Sequence, residues 1–104
     1  MSNPLAICHD GQMVGFSVYC FEPEAGTGYI DRLMVAEDFQ GQGYSRAARA
    51  EVIAQLRNTP GCQRIRTFYK PINKVEAALS KSLGFLRTGE IDKGEEVVVL
   101  NCAE

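Results

Sequence analysis

Six consecutive residues, Gln40, Gly41, Gln42, Gly43, Tyr44 and Ser45, stand between an aliphatic run and an alanine-rich stretch in DFQGQGYSRAARAEV. Glycine loses more conformational freedom on folding than any other residue, so backbone this bare must serve a turn, a close packing contact or a ligand. The chemistry on offer is that of unpaired N–H groups at a strand-to-helix turn. They converge on one point and are reinforced by the positive end of the helix dipole, which suits an anion such as a diphosphate.

Phosphate-binding patterns fit the stretch unequally. A P-loop needs lysine and then serine or threonine after its last glycine, and Tyr44 follows Gly43 here. A dinucleotide fingerprint needs glycine at the place held by Arg46, and tandem strand-helix units do not follow. A third pattern, Q/R-x-x-G-x-G/A, is met by Gln40 and Gly43, with Ser45 where glycine or alanine is usual. Taken alone, the six residues read equally well as a tight turn and as an anion cradle.

The elements around the loop follow from hydrophobic period and breakers. PLAICHDGQMVGFSVYCFEP reads as a hairpin with arms Leu5 to His9 and Gln12 to Phe21 about an Asp10-Gly11 turn. Gly15 in the second arm suggests a bulge or a close backbone approach. YIDRLMV, residues 29 to 35, is a third strand, with Tyr29, Asp31, Leu33 and Val35 on one face and Ile30, Arg32 and Met34 on the other. A helix follows from Tyr44 to Asn58. Ala48, Val52 and Leu56 form its apolar side, and Arg46, Arg49, Gln55 and Arg57 its polar one. CQRIRTFY, residues 62 to 69, is a fourth strand, and Asn73 caps a second helix from Lys74 to Leu83 that stops at Gly84. FLRTGEI, the turn DKGE and EVVVLNC close the chain as a hairpin. The order β-β-β-α-β-α-β-β predicts an α/β fold, a mixed and mostly antiparallel sheet with two main helices and one crossover.

The whole chain bounds what this fold serves. Its 104 residues predict a single domain over 1–104, with 45% hydrophobic and 23% charged residues and a formal charge of −2. No basic block is present, which argues against nucleic-acid binding. No apolar run is long enough for a membrane span, and the N-terminus lacks the pattern of a signal peptide. Cys8, Cys20, Cys62 and Cys102 are scattered singly. They read as free, mostly buried thiols of a cytoplasmic protein, and with one histidine no metal site is expected.

YIDRLMVAEDFQGQGYSRAA, followed at the right distance by INKVEAALSKSLGFLRTGEIDKGEEVVVL, resembles the GNAT acetyltransferase superfamily, especially its small-amine branch that includes polyamine acetyltransferases. Two separated motifs in the correct order carry the resemblance, which runs from about Leu5 to Leu100. It implies an acetyl-CoA cosubstrate. Gln40, Gly41, Gln42, Gly43, Tyr44 and Ser45 would cradle the diphosphate, and the backbone of Leu33, Met34 and Val35 would meet the pantetheine arm where the strand splays from its neighbour. The Val35 N–H would donate to the thioester carbonyl as an amine attacks. Asn73 would hydrogen-bond the cofactor near the pantetheine arm, as well as capping its helix.

Two positions depart from the family pattern. Where members often carry a tyrosine that protonates the leaving thiolate, this chain has Ser80, a much weaker acid than a phenol. Either it would relay a proton through water, or the thiolate would leave unassisted and Ser80 would be a polar helix residue without a catalytic part. Where some members carry a glutamate base, this chain has Tyr29, and Asp31 is the nearest carboxylate on that strand face. The family also begins with a strand and two helices ahead of the hairpin at which this chain opens. An N-terminally shortened domain would leave a flank of the sheet bare and favour a homodimer. The resemblance thus implies an N-acetyltransferase acting on a primary amine of a small molecule. The alternative is a non-catalytic acetyl-CoA-binding module, a sensor or partner protein. A third reading is a truncated product with no ligand role.

Overall fold

The computed structural model describes residues 2–9, 12–35 and 43–102, with side chains over 13, 15–30 and 43–102. The Asp10-Gly11 turn and Gln40, Gly41 and Gln42 lie outside the described residues.

Six strands and two helices follow the expected order. The strands are β1 (Ser2–His9), β2 (Gln12–Glu22), β3 (Thr27–Val35), β4 (Arg64–Tyr69), β5 (Leu86–Asp92) and β6 (Glu95–Asn101). The helices are α1 (Tyr44–Arg57), between β3 and β4, and α2 (Lys74–Ser82), between β4 and β5. One sheet in the order β1-β2-β3-β4-β6-β5 holds all six strands, and only the β3–β4 pair is parallel. The register shifts where Ile7 and Cys8 face Gly15 and Met13, so the irregularity falls beside Gly15 as its place in the strand suggested.

Chemistry at the helix ends explains where they stop. Asn73 Oδ1 accepts from the Glu76 N–H at 3.1 Å, capping α2. At the other end Gly84 takes φ +97°, its N–H donates to the Lys81 carbonyl, and the Phe85 N–H donates to the Ser80 carbonyl at 3.0 Å. These paired bonds satisfy carbonyls the helix cannot, and they direct Phe85 into the core. α1 ends at Arg57, where the Asn58 N–H still bonds the Ala54 carbonyl, just ahead of Thr59 and Pro60.

The core lies between the two helices and one face of the sheet. Ile30, Ile65, Val98 and Leu100 from the strands meet Val52, Ile53 and Leu56 of α1 and the buried Phe85. Gly28 is what lets α1 come this close: a Cβ there would lie 2.8 Å from Leu56 Cδ2.

Two expectations need correction. Arg49 does not belong to the polar side of α1. It is 3% exposed and shares the buried face with Ala48, Val52, Ile53 and Leu56, because residues three and four apart lie on one side of a helix. Its charge is accommodated by Glu76 of α2, which the helix periodicity alone does not reveal. The cysteines with described side chains, Cys20, Cys62 and Cys102, are half-buried rather than buried. Burial, and then the neighbouring Cys102, pushes the Cys62 thiol up.

Candidate acetyl-CoA site

The parallel ladder between β3 and β4 is short. It joins Thr27–Ile30 to Arg64–Thr67, while β3 runs on through Val35 paired with β2 and β4 runs on through Tyr69 paired with β6. Past Ile30 and Thr67 the two central strands therefore part. Buried Thr67 turns its hydroxyl to this fork, donating to the Ile30 carbonyl at 3.1 Å. That bond keeps the last shared carbonyl satisfied where the regular ladder ends. Leu33, Met34 and Val35 lie on the free stretch of β3, so the splay implied for this strand is present in the backbone. Asp31 is the first residue of that stretch.

Below the fork a cleft of ≈ 580 Å³ opens toward the first turn of α2. Ile30 and Thr67 form its inner end, Phe68, Tyr69 and Lys70 one wall, and Ile72, Asn73 and Glu76 another. Arg49 reaches it from α1, where its Nη2 donates to Glu76 Oε1 and ties the two helices together across the cleft. Glu76 is itself held by the Asn73 cap through its backbone N–H, so Arg49, Glu76 and Asn73 form one connected set. Neither Arg49 nor Glu76 was singled out from the sequence as functional. The spacing of Arg49 from Val52, Ile53 and Leu56 was the available signal for its burial.

Gly43 stands at the N-cap of α1 with φ +86°, a conformation that L side chains rarely adopt, and no side chain caps this end. Among the described residues, a Cβ built on it meets nothing within 4 Å. Its first turn carries no acidic residue, which leaves the positive end of the dipole uncompensated by a local carboxylate. Tyr44 and Ser45 are the first two residues of the helix. These features fit a diphosphate: donors and dipole face outward, and the residue nearest the anion brings neither bulk nor charge.

Ser80 is placed differently. It is 1% exposed, its Oγ has no hydrogen-bond partner among the described residues, and it lines a second groove between α2 and the β5–β6 hairpin with Lys74, Lys81 and Arg87. Tyr69 borders both this groove and the cleft. The structure thus brings Asn73 to the cleft and sets Ser80 in the second groove, next to it across Tyr69.

A strand pair that forks, a glycine-opened helix after one of its arms and an Asn-capped helix after the other define an acetyl-CoA-type acyltransferase fold. The acetyltransferase (GNAT) family matches residues 2–85, and the chain belongs to it. It is 30% identical to the spermine/spermidine N(1)-acetyltransferase of Bacillus subtilis (strain 168), over 93% of this chain and 68% of that relative. Among solved structures, the ribosomal-protein-S18-alanine N-acetyltransferase of Escherichia coli superposes with a TM-score of 0.81 at 20% identity, over 99% of this chain and 70% of that one. The PaiA N-acetyltransferase of Thermoplasma acidophilum, solved in complex with coenzyme A, gives 0.83 at 15% identity, over 96% and 60%. At these identities the two structures establish a shared fold. Among the described residues no helix is long and apolar enough to cross a membrane.

Proposed function

We propose that the protein transfers an acetyl group from acetyl-CoA to a primary amine of a small molecule by direct attack of the amine on the thioester. The observation that carries this reading is the parting of β3 from β4 beyond Ile30 and Thr67, in a chain of this family. A polyamine-like substrate is supported by the likeness to the spermine/spermidine acetyltransferase.

The cosubstrate supplies an activated acetyl thioester, and the chain's residues hold and orient it. Gln40 through Ser45 meet the diphosphate with backbone donors, and Asn73 offers its side-chain amide at the cleft, its Oδ1 already engaged by the helix. The unpaired edge of β3 at Leu33, Met34 and Val35 supplies main-chain groups to the pantetheine arm. The Val35 N–H takes the carbonyl oxygen as charge develops on it. Asp31, at the fork, accepts the ammonium proton through a water. The thiolate of CoA is a weak base, so it leaves without a strong acid beside it. Ser80, with its hydroxyl buried in the neighbouring groove, has the lesser part as a relay.

Calorimetric titration with acetyl-CoA and CoA tests the cosubstrate, and mass spectrometry of an amine panel incubated with acetyl-CoA tests transfer. Saturable binding, with a mass gain of about 42 Da as acetyl replaces hydrogen on each amine, is the expected result. Absence of heat and of thermal stabilisation at millimolar cosubstrate would sink the proposal. Binding without turnover on any amine would assign the chain as a cofactor-binding module instead.

A further inference from the structure

Arg49 carries more hydrogen-bonding capacity than the protein uses. A guanidinium has five N–H donors in a planar fork. Here Nη2 is engaged by Glu76, while Nε and Nη1 are buried and have no partner among the described residues. Burying donors without acceptors is unfavourable, and for a charged group more so. Arg66 Nε and Ser80 Oγ are also orphaned among the described residues, but of these three side chains only Arg49 lines the cleft at the fork.

Position and charge narrow what would complete Arg49. Its positive charge is already balanced by Glu76, so a further full negative charge is not required. It stands six residues into α1 from Gly43, about 9 Å along the axis at the usual helical rise. The Glu76 bond holds the guanidinium toward α2 and Asn73 rather than toward the open end of α1. Nε and Nη1 share no edge of the planar group, so they suit two separate acceptors better than one bidentate phosphate.

We infer that Arg49 is a positioning residue for the cosubstrate: its two unpartnered donors take neutral carbonyl oxygens of the pantetheine arm, where that arm threads the cleft between the parted strands and α2. This rests on the acetyl-CoA reading above. Arg49 fixes the depth and direction of the arm, while the anion is held by the α1 N-terminus.

The test compares two ligands on the full chain. CoA carries the pantetheine arm; 3′-phospho-ADP keeps the diphosphate and lacks the arm, and its affinity is read by displacement of CoA. Arg49→Met is expected to weaken CoA roughly tenfold or more, as for loss of hydrogen bonds to a charged donor, and to leave 3′-phospho-ADP within about twofold. Arg49→Lys keeps a cation beside Glu76 but not the planar fork, and is expected to show the same selective loss in smaller measure. It carries the test if the methionine variant does not fold. Equal weakening of both ligands, or undiminished CoA binding, overturns the role of Arg49 while leaving the acetyl-CoA site standing. Wild-type protein that binds neither ligand overturns the acetyl-CoA reading and this inference with it.

Discussion

Gly43 concentrates the argument at the scale of one residue. Its φ of +86° is a backbone cost that glycine avoids, and among the described residues nothing lies within 4 Å of a Cβ built there. Substituting alanine should cost about 1–2 kcal/mol of stability from backbone strain alone, because no atom stands in the way of the new Cβ. Aspartate suffers the same strain but places a negative charge at the helix N-terminus, which returns roughly 0.3–1 kcal/mol. The two variants should therefore invert: Gly43→Asp unfolds at equal or higher denaturant than Gly43→Ala, yet loses CoA binding that the alanine variant retains in part. Denaturant titration and calorimetry on the same preparations check both halves. CoA binding by the aspartate variant as tight as by the alanine variant would remove the diphosphate from this helix end. Ser80 teaches the opposite lesson, since a hydroxyl at the expected spacing from Asn73 turns out to face another groove.

Between elements, the contact that sets α1 on the sheet is Gly28 against Leu56. A methyl group on Gly28 would approach Leu56 Cδ2 to 2.8 Å and Cδ1 to 2.9 Å, and Leu56 is fully enclosed. Gly28→Ala is thus expected to destabilise by about 1–3 kcal/mol through overpacking. The double variant with Leu56→Val should be less destabilised than the sum of the two single changes, because the shorter side chain vacates the space the new methyl needs. A denaturant-unfolding cycle measures the coupling; strict additivity would show that α1 and β3 adjust to each other freely. The contact matters for function because it fixes how far the α1 N-terminus stands from the fork of β3 and β4. α2 is linked to the same assembly by Arg49 and Glu76 and by the bond from Arg46 to the Ser82 hydroxyl.

At the scale of the molecule, apolar residues remain uncovered around the cleft and along one sheet edge. Ile72 and Val75, at the start of α2, are 84% and 81% exposed, and Leu86 and Ile91 stand exposed on β5, which forms the outer strand beside β6. Singly exposed apolar residues are common, but an outer strand bearing them presents unpaired backbone as well. A homodimer that covers this edge is the arrangement we predict for the chain. Sedimentation at micromolar concentration should give a dimer, and Ile91→Lys, which puts a charge on the β5 edge, should shift it to monomer without changing the unfolding midpoint of dilute protein. A monomer throughout the micromolar range would exclude the dimer.

Local chemistry made much of this legible in the sequence. The glycine and asparagine that bound the two helices, the alternation of the strands, and the order of elements all act over a few residues, so they can be read from spacing. The loop from Gln40 to Ser45 and the Asn73 cap were recognisable for the same reason: each requires particular residue types at fixed offsets. What only the tertiary structure decided are relations across long sequence separations. The ladder between β3 and β4 stops after four pairs because of how two distant strands meet. Arg49, polar by type and apolar by position, is buried because Glu76, 27 residues away, neutralises it. Ser80 lines the groove beside the cleft that Asn73 borders, although both belong to the α2 region, since the surface a helix packs against decides what its side chains meet. Residue types and spacing determine which elements form, and the packing of those elements determines which of their side chains share a site.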